Sequence, residues 1–214
     1  PTGEVYSAER MAGIVAAARE IGAVVLSDEC YALMQWRGAT NGTEGEADSL
    51  ASTPCALCDD VCLGSAEGVL VLYSLSKQSN MAGYRTAFIA GDESLIASMS
   101  AYRKQIGQII PGPVQAARLR DLESVKVQHA RYRERLGVLV SALRAYGYCT
   151  DMPDGALYVW VRAKSGDCWT DMEQLAKIGI IASPGEFYGA PECLRFSATA
   201  SDEAIASAAE RLAR

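Results

Sequence analysis

Three short runs with almost no polar interruption, residues 23–26, 69–72 and 87–90, set the hydrophobic pattern of this chain. Runs of this length and composition predict strands buried on both faces, as inside a sheet covered by helices. Helical periodicity alternates with them. Met11, Ile14, Val15 and Ala18 recur at three- and four-residue spacing between Ser7, a capping residue, and Gly22, so a helix is expected to run from there to about Glu20. Another is expected over residues 93–106. Helix followed at once by strand is the rhythm of an α/β sheet. The stretch between the strands at 69–74 and 86–90 is too short for a crossover helix, so these two should run antiparallel at the end of an otherwise parallel sheet. Residues 36–68 turn polar and rich in Gly, Ser, Thr and acids, which predicts a long surface loop with little structure of its own.

After Pro111-Gly112-Pro113 the pattern changes. Pro113 is suited to open a helix, and Leu122, Val125, His129, Tyr132, Leu136, Leu139 and Leu143 mark a narrow apolar seam continuing to Gly147. A helix of that length can link two domains. Beyond it the elements shorten: strand 157–161, helix 170–178, strand 180–182, strand 194–197 and a helix after Ser201. This sequence of elements predicts a small α+β unit.

Composition narrows the picture further. A chain of 214 residues that is 50% hydrophobic can bury a substantial core. Its net charge of −6, with no basic stripe, argues against nucleic acid as a partner of this segment. No apolar run reaches membrane-spanning length, and the N-terminus lacks the charged-then-apolar pattern of a signal peptide. Seven cysteines is an odd number, which fits reduced thiols in a cytoplasmic enzyme better than a disulfide framework. Cys55, Cys58 and Cys62 invite a metal reading, but no fourth ligand lies nearby in sequence, and no metal site is expected. His129, the only histidine, falls on the helix seam and reads as a packed, hydrogen-bonded core residue.

The candidate chemistry is concentrated in Ser74-Leu75-Ser76-Lys77-Gln78-Ser79-Asn80-Met81-Ala82-Gly83-Tyr84-Arg85. Hydroxyls and a guanidinium supply the donors that a phosphate dianion needs. Ser76 is the weakest of these, because a strand sends neighbouring side chains to opposite faces. Lys77, held at the end of a buried strand, is placed to react with a carbonyl if its amine is deprotonated, although a lysine after a strand is ordinarily a solvated one. Asp28 and Tyr31 follow the strand at 23–26. A carboxylate ending a buried strand calls for a cationic partner or for local backbone donors. Arg195 lies within the strand at 194–197, where a buried charge needs a bidentate anion or a structural ion pair with a carboxylate such as Glu186.

In four motifs the chain resembles the class I and II aminotransferases, pyridoxal 5'-phosphate (PLP) enzymes of fold type I. These are Pro1-Thr2-Gly3, Asp28-x-x-Tyr31, Ser74-x-Ser76-Lys77 with Arg85, and Leu194-Arg195-Phe196-Ser197, in that family's order and at about its spacing. The resemblance implies an α/β fold with a mostly parallel sheet, one antiparallel strand and an α+β small domain. Residues 1–115 would be the C-terminal part of the PLP-binding large domain, and 116–214 the interdomain helix and small domain. Because Pro1-Thr2-Gly3 follows an asparagine in mid-domain in that family, the sequence is expected to be the C-terminal part of a longer homodimeric protein. By itself it is expected not to transaminate. The resemblance assigns Lys77 to hold PLP and move the substrate proton, Asp28 to the pyridine nitrogen and Tyr31 to the 3′ oxygen. Ser74, Ser76 and Arg85 fall to the phosphate, and Arg195 to the α-carboxylate of an amino-acid or 2-oxo-acid substrate. The loop from Ser183 to Gly189 looks like the family's small-domain active-site loop, with glycines that admit close backbone approach.

Within the family, Ser74 to Arg85, Arg103-Lys104, Pro111-x-Pro113-Val114-Gln115-Ala116-Ala117 and Pro184-Gly185-Glu186-Phe187-Tyr188-Gly189 are similar to the N-succinyldiaminopimelate aminotransferases of lysine biosynthesis. Two alternatives stay open on sequence: another class I/II aminotransferase or related lyase, and the PLP-sensing domain of a transcription regulator.

Overall fold

The computed structural model describes residues 1–36, 53–107, 109–116 and 122–213. Their packing separates into two units. One comprises Tyr6–Met34 and the described residues up to Gln128; the other comprises Pro1–Val5, Gln35, Trp36 and the chain from His129 onward.

The first unit opens with α1 (Ala8–Glu20), capped by Ser7, whose hydroxyl accepts from the Arg10 amide at 3.2 Å. β1 (Val25–Asp28), β2 (Val69–Ser74) and β3 (Ala87–Gly91) form a sheet in the order β1-β2-β3. β1 and β2 are parallel, β2 and β3 antiparallel, as the short connection requires. Gly91 is obligatory at the end of β3. Its φ is +135°, and a Cβ there would lie 2.0 Å from the Val69 carbonyl oxygen.

One face of this sheet is filled. Val69 and Val71 pack with Val15 of α1 and with Ala56 and Val61, the latter on the single turn α2 (Asp59–Cys62). Part of the expected surface loop is therefore core. The Arg19 guanidinium holds it there by donating to the carbonyls of Cys62 (2.9 Å), Ser65 (2.6 Å) and Glu67 (3.2 Å). Residues 37–52 of that loop lie outside the described ones.

The expectation that the run at 23–26 is buried on both faces is corrected. β1 is an edge of the described sheet and alternates half-buried with exposed positions, Leu26 being 65% exposed, and Phe88 on β3 is also exposed. An edge strand with cover on one face buries only alternate side chains, however apolar its composition.

The unit continues through the single turn α3 (Leu75–Gln78), α4 (Glu93–Ile106), α5 (Gly112–Ala116) and the start of α6 (Leu122–Ala145), which belongs to the second unit from His129 onward. Asp92 caps α4 with Oδ1 (Leu95 amide, 3.0 Å), and its Oδ2 accepts from the Gly68 amide at 2.8 Å. These donors hold its carboxyl well below the ordinary range, at about 2. The helix expected from Pro113 appears as α5 and α6, residues 117–121 lying outside the described ones. The seam is as expected: Val125, Tyr132, Leu136, Leu139 and Leu143 are all buried.

The second unit has a sheet in the order β4-β6-β5, with β4 (Tyr158–Arg162), β5 (Ser183–Pro184) and β6 (Cys193–Ser197) all antiparallel. α7 (Cys168–Lys177) precedes β5, and α8 (Asp202–Leu212), capped by Ser201, follows β6. No strand forms at 180–182; the pairing begins one residue later, at Ser183. Val159, Val161, Leu194 and Phe196 fill one face of the sheet. Alternation consigns Tyr158, Trp160, Arg195 and Ser197 to the other.

His129 packs in this unit, edge-on to Trp36 at 6.1 Å between ring centroids. It is not hydrogen-bonded as expected: Nε2 is buried without a partner. Burial pushes its pKa down, so the fold holds the neutral ring and the unfolded chain takes up the proton first. Stability should therefore fall as pH drops through the unfolded value of about 6.5, and persist above it. Thermal melts between about pH 7.5 and 5.8 should show this loss in the native protein and a flatter dependence in His129→Phe. Equal pH dependence in both proteins would assign it elsewhere.

Candidate active site

Ser74 ends β2 and caps α3, its hydroxyl accepting from the Ser76 amide at 3.2 Å. Ser76 is on the turn rather than on a strand, and the two hydroxyl oxygens lie 2.8 Å apart. The reason for treating Ser76 as divergent therefore fails, because one turn of helix swings it back toward Ser74. The turn is pinned to the start of β3, where the Leu75 amide donates to the Thr86 carbonyl at 3.1 Å. Leu75 and Gln78 are buried, and the Tyr73 hydroxyl donates to the Gln78 side-chain oxygen. With that side of the turn fixed, Ser76 and Lys77 are left half-buried on the other.

Arg85 closes the loop from the far side of a short 3-10 turn (Ala82–Tyr84). It is exposed, and its Nη1 donates to the Ala82 carbonyl at 3.0 Å. Arg85 (φ +54°) and Asn80 (φ +51°) both adopt left-handed backbone, which costs of order 1 kcal/mol for a residue with a side chain. Such strain persists where the surrounding loop over-determines it.

Asp28 lies at the end of β1, beside the end of β2 through the pairing of Asp28 with Leu72. It is exposed, and Oδ1 accepts from the Cys30 amide at 3.2 Å. The desolvation argument for a cationic partner is thus corrected: at an exposed sheet end water solvates the carboxylate. Tyr31 is half-buried in the following turn, where its carbonyl accepts from the Met34 amide at 2.8 Å.

Cys30 shows that these residues converge. Its thiol is pushed up to about 11, by burial first and then by a hydrogen bond to, and the charge of, the Asp28 carboxylate. The Ser74 backbone and the Lys77 ammonium act on the same thiol in the opposite sense. Asp28 and Ser74 end adjacent parallel strands, with Lys77 on the turn after the second, at the carboxyl ends where open α/β sheets place ligands.

Sequence reasoning missed the part played by Glu29. Its buried carboxylate accepts from the Ala56 amide (2.7 Å) and the Ser27 hydroxyl (3.0 Å), tying the core segment to the end of β1. Nothing local signals this, since Ala56 is 27 residues away. The Cys55 thiol accepts from the Leu57 amide and the Cys62 thiol donates to the Leu57 carbonyl, and none of the seven cysteines forms a disulfide.

Arg195 belongs to the second unit and lies within β6, opposite Trp160 on one side and Ser183 on the other. Its Cζ is 4.2 Å from the ring centroid of Tyr158 and 4.7 Å from that of Tyr188. Nε is buried and has no hydrogen-bond partner among the described residues. Glu186 does not take it up; that carboxylate accepts from the Trp169 indole. Trp160 also lines a cavity of about 330 Å³ with Thr2, Gly3, Cys149, Thr150 and Asp151. The glycine at the head of the 183–189 loop serves the protein's own backbone rather than a ligand, since a Cβ on Gly185 would meet the Ala190 carbonyl oxygen at 2.2 Å. Sequence reasoning also overlooked Tyr158 and Tyr188 as partners of Arg195. Two-residue alternation puts Tyr158 on the correct face, but the register that brings it to Arg195 is not local.

A mixed sheet carrying a lysine on the turn after one strand and an aspartate at the end of its parallel neighbour, with an arginine on a separate α+β unit, defines a fold type I transferase. Comparison with known proteins identifies the family: the aminotransferase class I and II family matches residues 1–212, and the chain belongs to it. The chain is 39% identical to the 4-dedimethylamino-4-oxo-anhydrotetracycline transaminase OxyQ of Streptomyces rimosus, over 99% of the chain and 56% of that protein. It is 28% identical to the LL-diaminopimelate aminotransferase of Syntrophobacter fumaroxidans, over 99% of the chain and 53% of that protein. Among solved structures, aspartate aminotransferase from Thermus thermophilus with maleate superimposes with a TM-score of 0.82 at 26% identity, over 100% of the chain and 54% of that structure. The chain thus spans about half the length of the relatives it matches. Members of this family use PLP, and the residues present suit it. Ser74, Ser76 and Arg85 would offer donors to its phosphate, Lys77 an amine to its aldehyde, and Asp28 a carboxylate oxygen to a protonated ring nitrogen.

Proposed function

We propose that the full-length protein is a PLP-dependent aminotransferase moving an amino group between an amino acid and a 2-oxo acid, working as a homodimer. The placement of Asp28 at the end of β1, with Ser74 and Lys77 at the end of its parallel neighbour β2 and on the turn that follows, carries this reading. PLP, when bound, supplies an electron sink for charge developing at the substrate Cα. Lys77 would hold the cofactor through Nζ, and the same nitrogen would carry the proton between the substrate Cα and the cofactor's C4′ carbon. Asp28 stabilises positive charge at the ring nitrogen, Tyr31 donates to the 3′ oxygen, and Ser74, Ser76 and Arg85 hold the phosphate. Arg195 takes the α-carboxylate that amino donor and oxo acceptor share. The first unit serves as the PLP-binding part and the second as the substrate-carboxylate part. The full-length protein with PLP should convert glutamate to 2-oxoglutarate only when an oxo acceptor is supplied. No turnover across a panel of acceptors would defeat this reading.

For the acceptor, the motif wording and the diaminopimelate relative support N-succinyl-2-amino-6-oxopimelate, with glutamate as donor in lysine biosynthesis. A specific observation favours a second reading. Tyr158, Trp160 and Tyr188 cluster around Arg195, and Phe187, next to Tyr188, meets Trp169 edge-on with both exposed, so aromatic surface is available for a fused-ring ketone of the kind named for OxyQ. Comparing kcat/KM for the two acceptors decides between them.

Replacing Arg195 by Lys tests the carboxylate role. The ammonium keeps the charge but loses the two-pronged geometry, so KM for donor and acceptor should rise together by about 10- to 100-fold, with cofactor absorbance unchanged. A change confined to one half-reaction would remove Arg195 from that role.

A further inference from the structure

We propose that Tyr158 and Tyr188 are positioning residues for carboxylate recognition, holding the Arg195 guanidinium ordered between their rings. The proposal rests on the reading of Arg195 as the carboxylate anchor. The two rings come from opposite neighbours of β6, Tyr158 from β4 and Tyr188 from the 3-10 turn (Gly185–Tyr188) that follows β5. Both lie within cation–π range of Cζ. Tyr188 is in turn braced edge-on by Trp160 at 5.8 Å, the residue directly across the sheet from Arg195.

The physical case turns on what a guanidinium in this position needs. Partial burial costs solvation, and a protein ordinarily recovers it with a carboxylate. A resident carboxylate would neutralise the group and would have to be displaced by each substrate. Aromatic faces offset desolvation by attraction to the ring quadrupole while leaving every N–H uncommitted. Among the described residues the buried Nε–H has no partner, which fits that arrangement. Its donor is left for a ligand oxygen, and Nε with one Nη makes the paired edge that a carboxylate accepts. The carboxylate best placed in sequence to spoil this, Glu186, is engaged by the Trp169 indole. The ordering cost of a long flexible side chain is met in the free protein, so less is lost when substrate binds.

The test uses the full-length protein with PLP and reads three quantities: KM for glutamate and for 2-oxoglutarate, kcat, and the dissociation constant of maleate as a non-reacting dicarboxylate. Tyr158→Leu and Tyr188→Leu should each raise both KM values and the maleate constant by about 3- to 30-fold, with cofactor absorbance and kcat close to native. Phe at either position should restore the native values to within about 3-fold, because the ring face and not the hydroxyl does the holding. In an Arg195→Lys background the same Leu changes should have less than about 2-fold effect, since residues acting through one partner are not additive. A merely structural role would persist in that background. Native maleate affinity in both Leu variants, failure of Phe to restore it, or an undiminished effect in the Lys background would each overturn the proposal. Native KM values in Arg195→Lys itself would instead defeat the anchor reading on which it rests. Tyr188 is 38% exposed, so its variants carry the test if Tyr158→Leu does not yield folded protein.

Discussion

Lys77→Ala in the full-length protein should abolish the visible absorbance of lysine-bound PLP and lower turnover by at least about 10³-fold, the loss of a nucleophilic anchor and a proton carrier together. The expectation follows from where the amine sits. α3 is a single turn, tied to β3 through Leu75 and Thr86 and fixed on its inner side by Leu75 and Gln78. That leaves Lys77 half-buried on the open side of the turn, after the strand that pairs in parallel with the one Asp28 ends. Removing a half-buried amine from a turn held by other residues should cost little stability, so the variant should melt near the native temperature. A spectrophotometric titration with PLP checks the first outcome and a steady-state assay the second. An unchanged visible spectrum would show that another group holds the cofactor.

Asp28→Asn should lower kcat by roughly 100-fold while PLP affinity changes far less. Asparagine keeps the side-chain oxygen that caps the Cys30 amide, so local backbone geometry is preserved. What it removes is the negative charge opposite the ring nitrogen, whereas the phosphate donors Ser74, Ser76 and Arg85 are untouched. Because Asp28 is exposed at the sheet end in this chain, its contribution depends on what covers it in the full-length protein. Rapid-mixing measurement of the glutamate half-reaction beside PLP affinity separates the two effects. Near-native turnover would leave Asp28 as a strand-end cap and nothing more.

The elements of this fold were legible because their signals are local. Ser7 and Ser201 cap the helices they precede, and Gly22 follows the first with the positive φ expected of a helix stop. The antiparallel pairing of β2 and β3 followed from the length of their connection alone, a constraint of chain geometry rather than of packing. The order and spacing of Asp28, Lys77, Arg85 and Arg195 were likewise enough to resemble a family.

What tertiary structure decided was burial, exposure and partnership, which depend on residues far apart in the chain. Polar spacing predicted a surface loop before β2, yet Ala56 and Val61 are core because Glu29 and Arg19 anchor that stretch from 27 and 43 residues away. Apolar composition predicted a doubly covered strand, yet Leu26 is exposed because β1 is an edge. Ser76 joined Ser74 because the chain leaves the strand for one turn of helix at that point. Arg195 offered a choice between a bound anion and an ion pair with Glu186. The register of β4, β6 and β5 brought two tyrosines to the guanidinium in place of Glu186. Period-two alternation tells which face a side chain takes, but only the pairing of strands says which side chains from other strands share it.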